Sequence, residues 1–151
     1  IAPSRSFYDG AIPSGNAAAC LALVRVGRLT QDESMVTLAR QTLEAFAGEI
    51  NVRPESHPFA LTAAQLLMEP MQEIVIAGPR HHEGTQALLA TVQRRFLPRA
   101  VLALHDGEAI ERVIPALKAQ GLVGGKPAAY LCEHFACKAP VTDAASLAAL
   151  L

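Results

Sequence analysis

At Met71 the hydrophobic period of the chain changes, and that change limits the fold more than any other feature. Before it, apolar residues recur every three or four positions; after it, short β-branched runs alternate with helical stretches. In SGNAAACLALVRVG, Ser14 or Asn16 is placed to cap a helix, Ala17, Leu21 and Val24 share a face, and Gly27 is expected to supply a left-handed stop. In DESMVTLARQTLEAFAGEI, Asp32 caps, Met35, Ala39, Leu43, Phe46 and Ile50 continue the series, and Gly48 lies near its end. The short RLTQ link makes these two helices antiparallel neighbours. FALTAAQLLMEP reads as a third helix carrying Ala60, Ala63, Ala64, Leu67 and Met68, and it stops before Pro70.

Beyond Met71, EIVIAG is a continuous apolar run ended by Gly78 and Pro79, as suits a strand covered on both faces. EGTQALLATVQRRF places Leu88, Leu89, Val92 and Phe96 on one helical face, and RAVLAL returns to strand. GEAIERVI is a partial helix interrupted by Pro115, GLVGGKP a loop, and AAYLCEHF a third strand; Asp143 then caps a closing helix, DAASLAALL. This alternation predicts a small parallel βαβ sheet with right-handed crossovers. The expected fold is therefore mixed, α+β with α/β character: N-terminal helical hairpins over residues 1–70, then a small α/β domain over 71–151, the break falling near Glu69 to Gln72.

Composition bears on what surrounds such a chain. With 51% hydrophobic and 18% charged residues and a mean hydropathy of +0.25, it is more apolar than a free-standing domain of 151 residues usually is. We expect a piece of something larger, whose helical half self-associates when isolated. The opening IAPSRSFYDG fits, having neither an initiator Met nor a signal-peptide pattern. Lys+Arg 13 against Asp+Glu 14 leaves a net charge of −1 without a basic stripe, which argues against nucleic acid and membrane surfaces as partners. Three cysteines at irregular spacing make no disulfide framework, so a reducing, cytoplasmic setting is expected.

Three stretches carry candidate chemistry. In YLCEHFACKAP, Cys132 and Cys137 are five apart with His134 between them. Along one straight strand they would point to opposite faces about 16 Å apart, beyond the roughly 7 Å Cα limit of a disulfide. Only a sharp turn near His134 to Ala136 brings the sulfurs together, so reduced, metal-free thiols are expected, one in the core and one near the exit of the strand. Zinc lacks the remaining ligands of its usual set of about four, and no cofactor is implied. GPRHHEGT follows the first strand, where a helix N-terminus often meets a phosphate; Gly78, His81, His82, Gly84 and Thr85 are anion candidates, although the glycine spacing does not close as a P-loop. FYDGAIPSGN packs an aromatic pair, a carboxylate and amide or hydroxyl groups before a helix, which makes Tyr8, Asp9, Ser14 and Asn16 ligand-binding candidates and Asp9 the one catalytic candidate. Asp9 has no partnering carboxylate in this stretch, and the chain alone is expected not to catalyse glycoside chemistry.

Taken together, DGAIPSGN, EIVIAG and AYLCEHFACKAPVTD resemble the C-terminal part of the thioredoxin-domain-containing family that includes the spermatogenesis-associated thioredoxin-like proteins. The resemblance spans nearly the whole chain. It implies a parent with an N-terminal thioredoxin-like domain, whose active cysteines lie upstream of Ile1, then an α/α toroid similar to sugar epimerases and six-hairpin glycosidases, and last an α/β extension. This chain would hold the final toroid helices and the extension, with the remainder of the parent as its partner. By the same resemblance Asp9, Ser14 and Asn16 match a toroid motif facing the central cavity, and Cys132 and Cys137 match the family's C-terminal strand motif. Two alternatives stand beside this reading: a thiol-redox or metal module built on Cys132, Cys137 and His134, and a small-anion or nucleotide-binding βαβ domain built on Gly78 to Thr85.

Overall fold

A computed structural model describes residues 6–133 and 136–151. It is a mixed α+β structure whose chain divides into two compact units, Ile1–Arg28 with Asp32–Glu69 and Leu29–Gln31 with Pro70–Leu151. The first unit is helical. Helix α1, Gly15–Thr30, starts where the Ser14 hydroxyl accepts the Ala17 amide, and α2, Glu33–Ala45, starts where the Asp32 carboxylate accepts the Ser34 amide. The Ser34 hydroxyl and amide together hold the Asp32 carboxyl below its ordinary value. Phe46 interrupts the helical run before a short α3, Ala47–Val52, and its ring packs against Phe7 with centroids 4.4 Å apart and planes tilted by 40°. Helix α4, Pro58–Met68, opens on a proline, whose missing N–H costs nothing at that position. Phe7, Ala17, Val24, Val36, Ala39, Ala63 and Leu66 form the buried interior of this unit.

Gly27 does not end α1. It sits inside the helix, buried, because a Cβ there would lie 2.8 Å from a Val36 methyl and 2.9 Å from the Asp32 carbonyl. The glycine lets the start of α2 approach closely; the left-handed residue that follows the helix is Gln31, at φ 58°.

The second unit is built on a four-stranded sheet of order β2-β1-β3-β4. Strands β1, Gln72–Ala77, and β2, Ala100–His105, are parallel and joined through α5, Glu83–Gln93. Ile74, Ile76, Ala129 and Leu131 pack on one face with Leu88 and Val92 of α5 and Leu147 of α7, Ala144–Leu150. Val75 and Ala103 on the other face meet Ile114 and Leu117. No described helix is long and apolar enough to cross a membrane.

Strand β3, Ala128–Glu133, runs antiparallel to β1, where a parallel strand was expected. The cause lies in the connection. A parallel return needs a full crossover helix, but α6, Glu108–Glu111, has four residues and is followed by a 3-10 turn, Pro115–Ala119. The chain therefore stays at the carboxyl end of the sheet, reverses at Gly124 and Gly125, both left-handed at φ 57° and 76°, and enters beside Ala77 through Ala128. After β3 the short β4, Ala136–Cys137, pairs antiparallel with it, placing Cys132 opposite Cys137.

That pairing overturns the expectation of two reduced thiols on opposite faces. Cys132 and Cys137 form a disulfide with Cα atoms 3.9 Å apart. β3 and β4 are two antiparallel strands rather than one extended run, and directly opposed residues of such a pair share a face and are close by construction. The expected contrast in burial does hold: Cys132 is buried and Cys137 exposed. His134, the third member of the proposed ligand set, lies outside the described residues.

Candidate functional site

In the helical unit the segment before α1 is fastened to the start of α4. One oxygen of Asp9 accepts the Ser14 amide at 2.7 Å and the other accepts the Phe59 amide at 2.8 Å, while the Asp9 amide donates to the Ser56 carbonyl. The Asn16 side chain donates to the carbonyl of Ser6. Of the candidates in this stretch, Asp9, Ser14 and Asn16 are thus engaged with backbone, and Tyr8 is exposed.

The fastening shapes a cavity of about 420 Å³ lined by Tyr8, Glu49, Val52, Arg53, Ser56 and His57. His57 is the unusual member, a buried histidine at 2% exposure. Its Nδ1 lies 2.8 Å from the Phe7 carbonyl, which only accepts, so Nδ1 donates, and the tautomer this selects for a neutral imidazole carries its lone pair on Nε2. Glu49 brings a carboxylate oxygen to 4.0 Å from that Nε2. Two acceptors, the Arg53 guanidinium and the hydroxyls of Tyr8 and Ser56 therefore line one hollow, a donor and acceptor mix that matches a ligand rich in hydroxyl groups. Sequence reasoning passed over His57 because it stands in a Pro-containing link; the signal available was a histidine directly before the proline that opens a helix.

The anion candidates lie where β1 passes to α5. His82 caps α5 through Nδ1, which accepts the Gly84 amide at 3.0 Å and so occupies a donor an anion would need. The Thr85 hydroxyl is fully buried without a hydrogen-bond partner and rests against Gly78, whose added Cβ would lie 2.5 Å from it. His81 is exposed. These groups do not converge on one open point. A cavity of about 240 Å³ does open at the carboxyl ends of β1 and β2, lined by residues that include Gly78, Pro79, His105, Asp106 and Leu122, with Arg80 paired to Asp106 at 3.1 Å. His105 places Nδ1 2.7 Å from the Gln120 carbonyl and Nε2 2.9 Å from Glu111.

Gln120 connects that ring to the disulfide. Its side-chain Nε2 lies 3.3 Å from the Cys132 sulfur and 3.7 Å from that of Cys137. The third cysteine, Cys20, is buried in the helical unit, and burial pushes its thiol above the ordinary value of 9.0 against a smaller opposing contribution from Thr42. Among the described residues no group of three His, Cys, Asp or Glu side chains is placed to hold a metal ion.

The chain is similar to spermatogenesis-associated protein 20 from human and from rat, each 31% identical over 146 residues, or 95% of this chain, and to the mouse protein at 30%. It spans only 19% of the human protein and 18% of each rodent one. No protein-family model and no solved structure matches it.

Proposed function

We propose that this chain is the C-terminal part of a multidomain thioredoxin-domain-containing protein, in which the helical unit closes an α/α toroid and supplies part of a cavity for a hydroxyl-rich small molecule of the sugar class. One observation carries the reading: buried His57, whose Nδ1 is engaged by the Phe7 carbonyl and whose Nε2 has Glu49 at 4.0 Å, lines the same cavity as Glu49, Arg53, Ser56 and Tyr8, beside the turn fastened at Asp9. Within such a cavity His57 Nε2 is the group poised to accept a proton from a bound hydroxyl or an acidic C–H, and Glu49 is placed to hold the resulting imidazolium. The relatives are about five times as long as this chain, which agrees with a site completed elsewhere in the parent. Exposed Val52 and Met68, at 78% and 83%, agree with helix surface that other parts of the parent cover.

The test is calorimetric titration of the full-length parent with a panel of aldoses and ketoses, comparing wild type with His57→Gln. Binding that falls about tenfold or more in the variant, the worth of one good hydrogen bond to a buried group, supports the site when the melting temperature is kept. Sugar binding that is absent in the parent, or unchanged by the substitution, removes the proposal.

A further inference from the structure

The Cys132–Cys137 pair differs from a buried structural staple in three respects. It joins residues five apart, so it restrains little of the unfolded chain, and loop-closure stabilisation grows with the length enclosed. Its two sulfurs belong to residues of opposite accessibility, Cys132 being 4% exposed in the sheet and Cys137 exposed on the two-residue outer strand. A hydrogen-bond donor is also built against it. Sulfur is a weak acceptor, and a neutral disulfide gains little from the amide of Gln120 at 3.3 and 3.7 Å; a thiolate at either position gains far more.

That donor is held in place from two sides. The Gln120 carbonyl meets His105 Nδ1 at 2.7 Å, and His105 is itself braced by Glu111 at 2.9 Å; the next carbonyl, of Gly121, accepts the Tyr130 hydroxyl at 2.8 Å. Tyr130 and Cys132 lie on the same face of β3, two residues apart. The backbone that carries the Gln120 side chain is therefore tied to β2 through His105 and to β3 through Tyr130. Beside the bridge, Lys138 and Cys132 help to line a cavity of about 210 Å³ that adjoins the outer edge of the sheet.

From this arrangement we infer that Cys132–Cys137 is an exchangeable disulfide whose substrate class is a dithiol. One thiolate of the dithiol attacks the accessible Cys137 sulfur. The Cys132–Cys137 bond breaks as the new sulfur–sulfur bond forms, and its electron pair stays on Cys132, where the Gln120 N–H groups receive the developing charge. The second thiol of the dithiol, as thiolate, then attacks its own sulfur in the mixed disulfide and expels Cys137. The dithiol leaves oxidised by two electrons, and its two protons end on Cys132 and Cys137. A monothiol stops at the first step, because Cys132 stays beside the mixed disulfide and expels it again at high effective concentration. This site is independent of the cavity proposed in the helical unit.

The experiment is reduction of the unreduced 151-residue chain by dithiothreitol under native conditions, quenched by alkylation at successive times and read by mass spectrometry, in a series of urea concentrations below the unfolding transition. A rate independent of urea, with glutathione at equal thiol concentration giving little net reduction, is the expected result. Gln120→Met should slow the dithiothreitol step by roughly tenfold, the scale of a hydrogen bond to a charged group. In Cys132→Ser, Cys137 should retain a thionitrobenzoate label as a stable mixed disulfide, and in Cys137→Ser, Cys132 should label at least about tenfold more slowly because it is buried. A reduction rate that climbs with urea as unfolding does, a wild-type rate in Gln120→Met, or equal labelling of the two cysteines would each overturn the assignment. So would free thiols at 132 and 137 that oxidised dithiothreitol fails to close.

Discussion

Replacing Asp9 tests how the helical unit is held together. Its carboxylate links the cap of α1, through Ser14 at 2.7 Å, to the first turn of α4, through Phe59 at 2.8 Å. Phe59 occupies the second position of a helix whose own cap residue, His57, makes no side-chain capping bond, so its amide depends on Asp9. A hydrogen bond to a charged group contributes about 1.5–3 kcal/mol when buried. Asp9 is only half-buried, and water replaces part of each bond. Asp9→Ala should therefore cost about 2–4 kcal/mol in all, with typical capping losses of ~1 kcal/mol as the floor for each end. Asn keeps one acceptor oxygen and turns an NH2 toward the other amide, so Asp9→Asn should lose about half as much, ~1–2 kcal/mol. Urea denaturation followed by circular dichroism would read the Ala loss as a midpoint lowered by ~1–2 M for an m value near 2 kcal/mol/M. A loss below about 0.5 kcal/mol for Asp9→Ala, inside the scatter of ordinary surface substitutions, would refute the fastening. If Asp9→Asn instead kept its stability while the parent lost ligand binding, the carboxylate would belong to the cavity proper.

Gly78→Ala should destabilise the sheet unit by about 2 kcal/mol or more, since φ 151° disfavours a side chain and the new Cβ meets the Thr85 hydroxyl at 2.5 Å and Pro127 at 2.9 Å. Adding Thr85→Ala should recover part of that loss, and strict additivity of the two changes in a denaturation cycle would argue against the contact. Asp143 caps α7, and the Ser146 amide, then its hydroxyl, hold the Asp143 carboxyl below its ordinary value of 3.8. The folded value is depressed, so the capping contribution is present above pH 3.8 and is lost as pH falls through the folded value. Amide exchange at Leu147 should accelerate in that acid window in wild type, whereas Asp143→Asn, which keeps an acceptor but cannot titrate, should show no such step.

How much of this was legible beforehand depended on the range of each signal. Asp32 and Asp143 as caps, the EIVIAG and RAVLAL strands and the helix that stops before Pro70 are written within a few residues of where they act, and each occurs in the structure. Gly27 was misread because helix-end glycine and close-packing glycine are the same residue locally; Val36 and Asp32, on the next helix and its cap, tell them apart. His57 and Gln120 were missed for a related reason. Neither belongs to a motif, and each gains meaning from a carbonyl or sulfur brought near by folding, Phe7 fifty residues away in one case and Cys132 in the other. The cysteine spacing shows the limit most plainly. Five residues span about 16 Å in a strand but bring two residues face to face in a hairpin, and nothing between Cys132 and Cys137 chooses which. The choice is made by the rest of the sheet. Because the connection after β2 forms only the four-residue α6 and a 3-10 turn rather than a full crossover helix, β3 enters antiparallel beside β1 and pairs Cys132 with Glu73; its other edge then stays open, and β4 takes it by folding back upon β3. The bridge is thus a consequence of topology upstream of both cysteines, and a substitution that lengthened α6 into a full crossover helix would be expected to remove the pairing on which it depends.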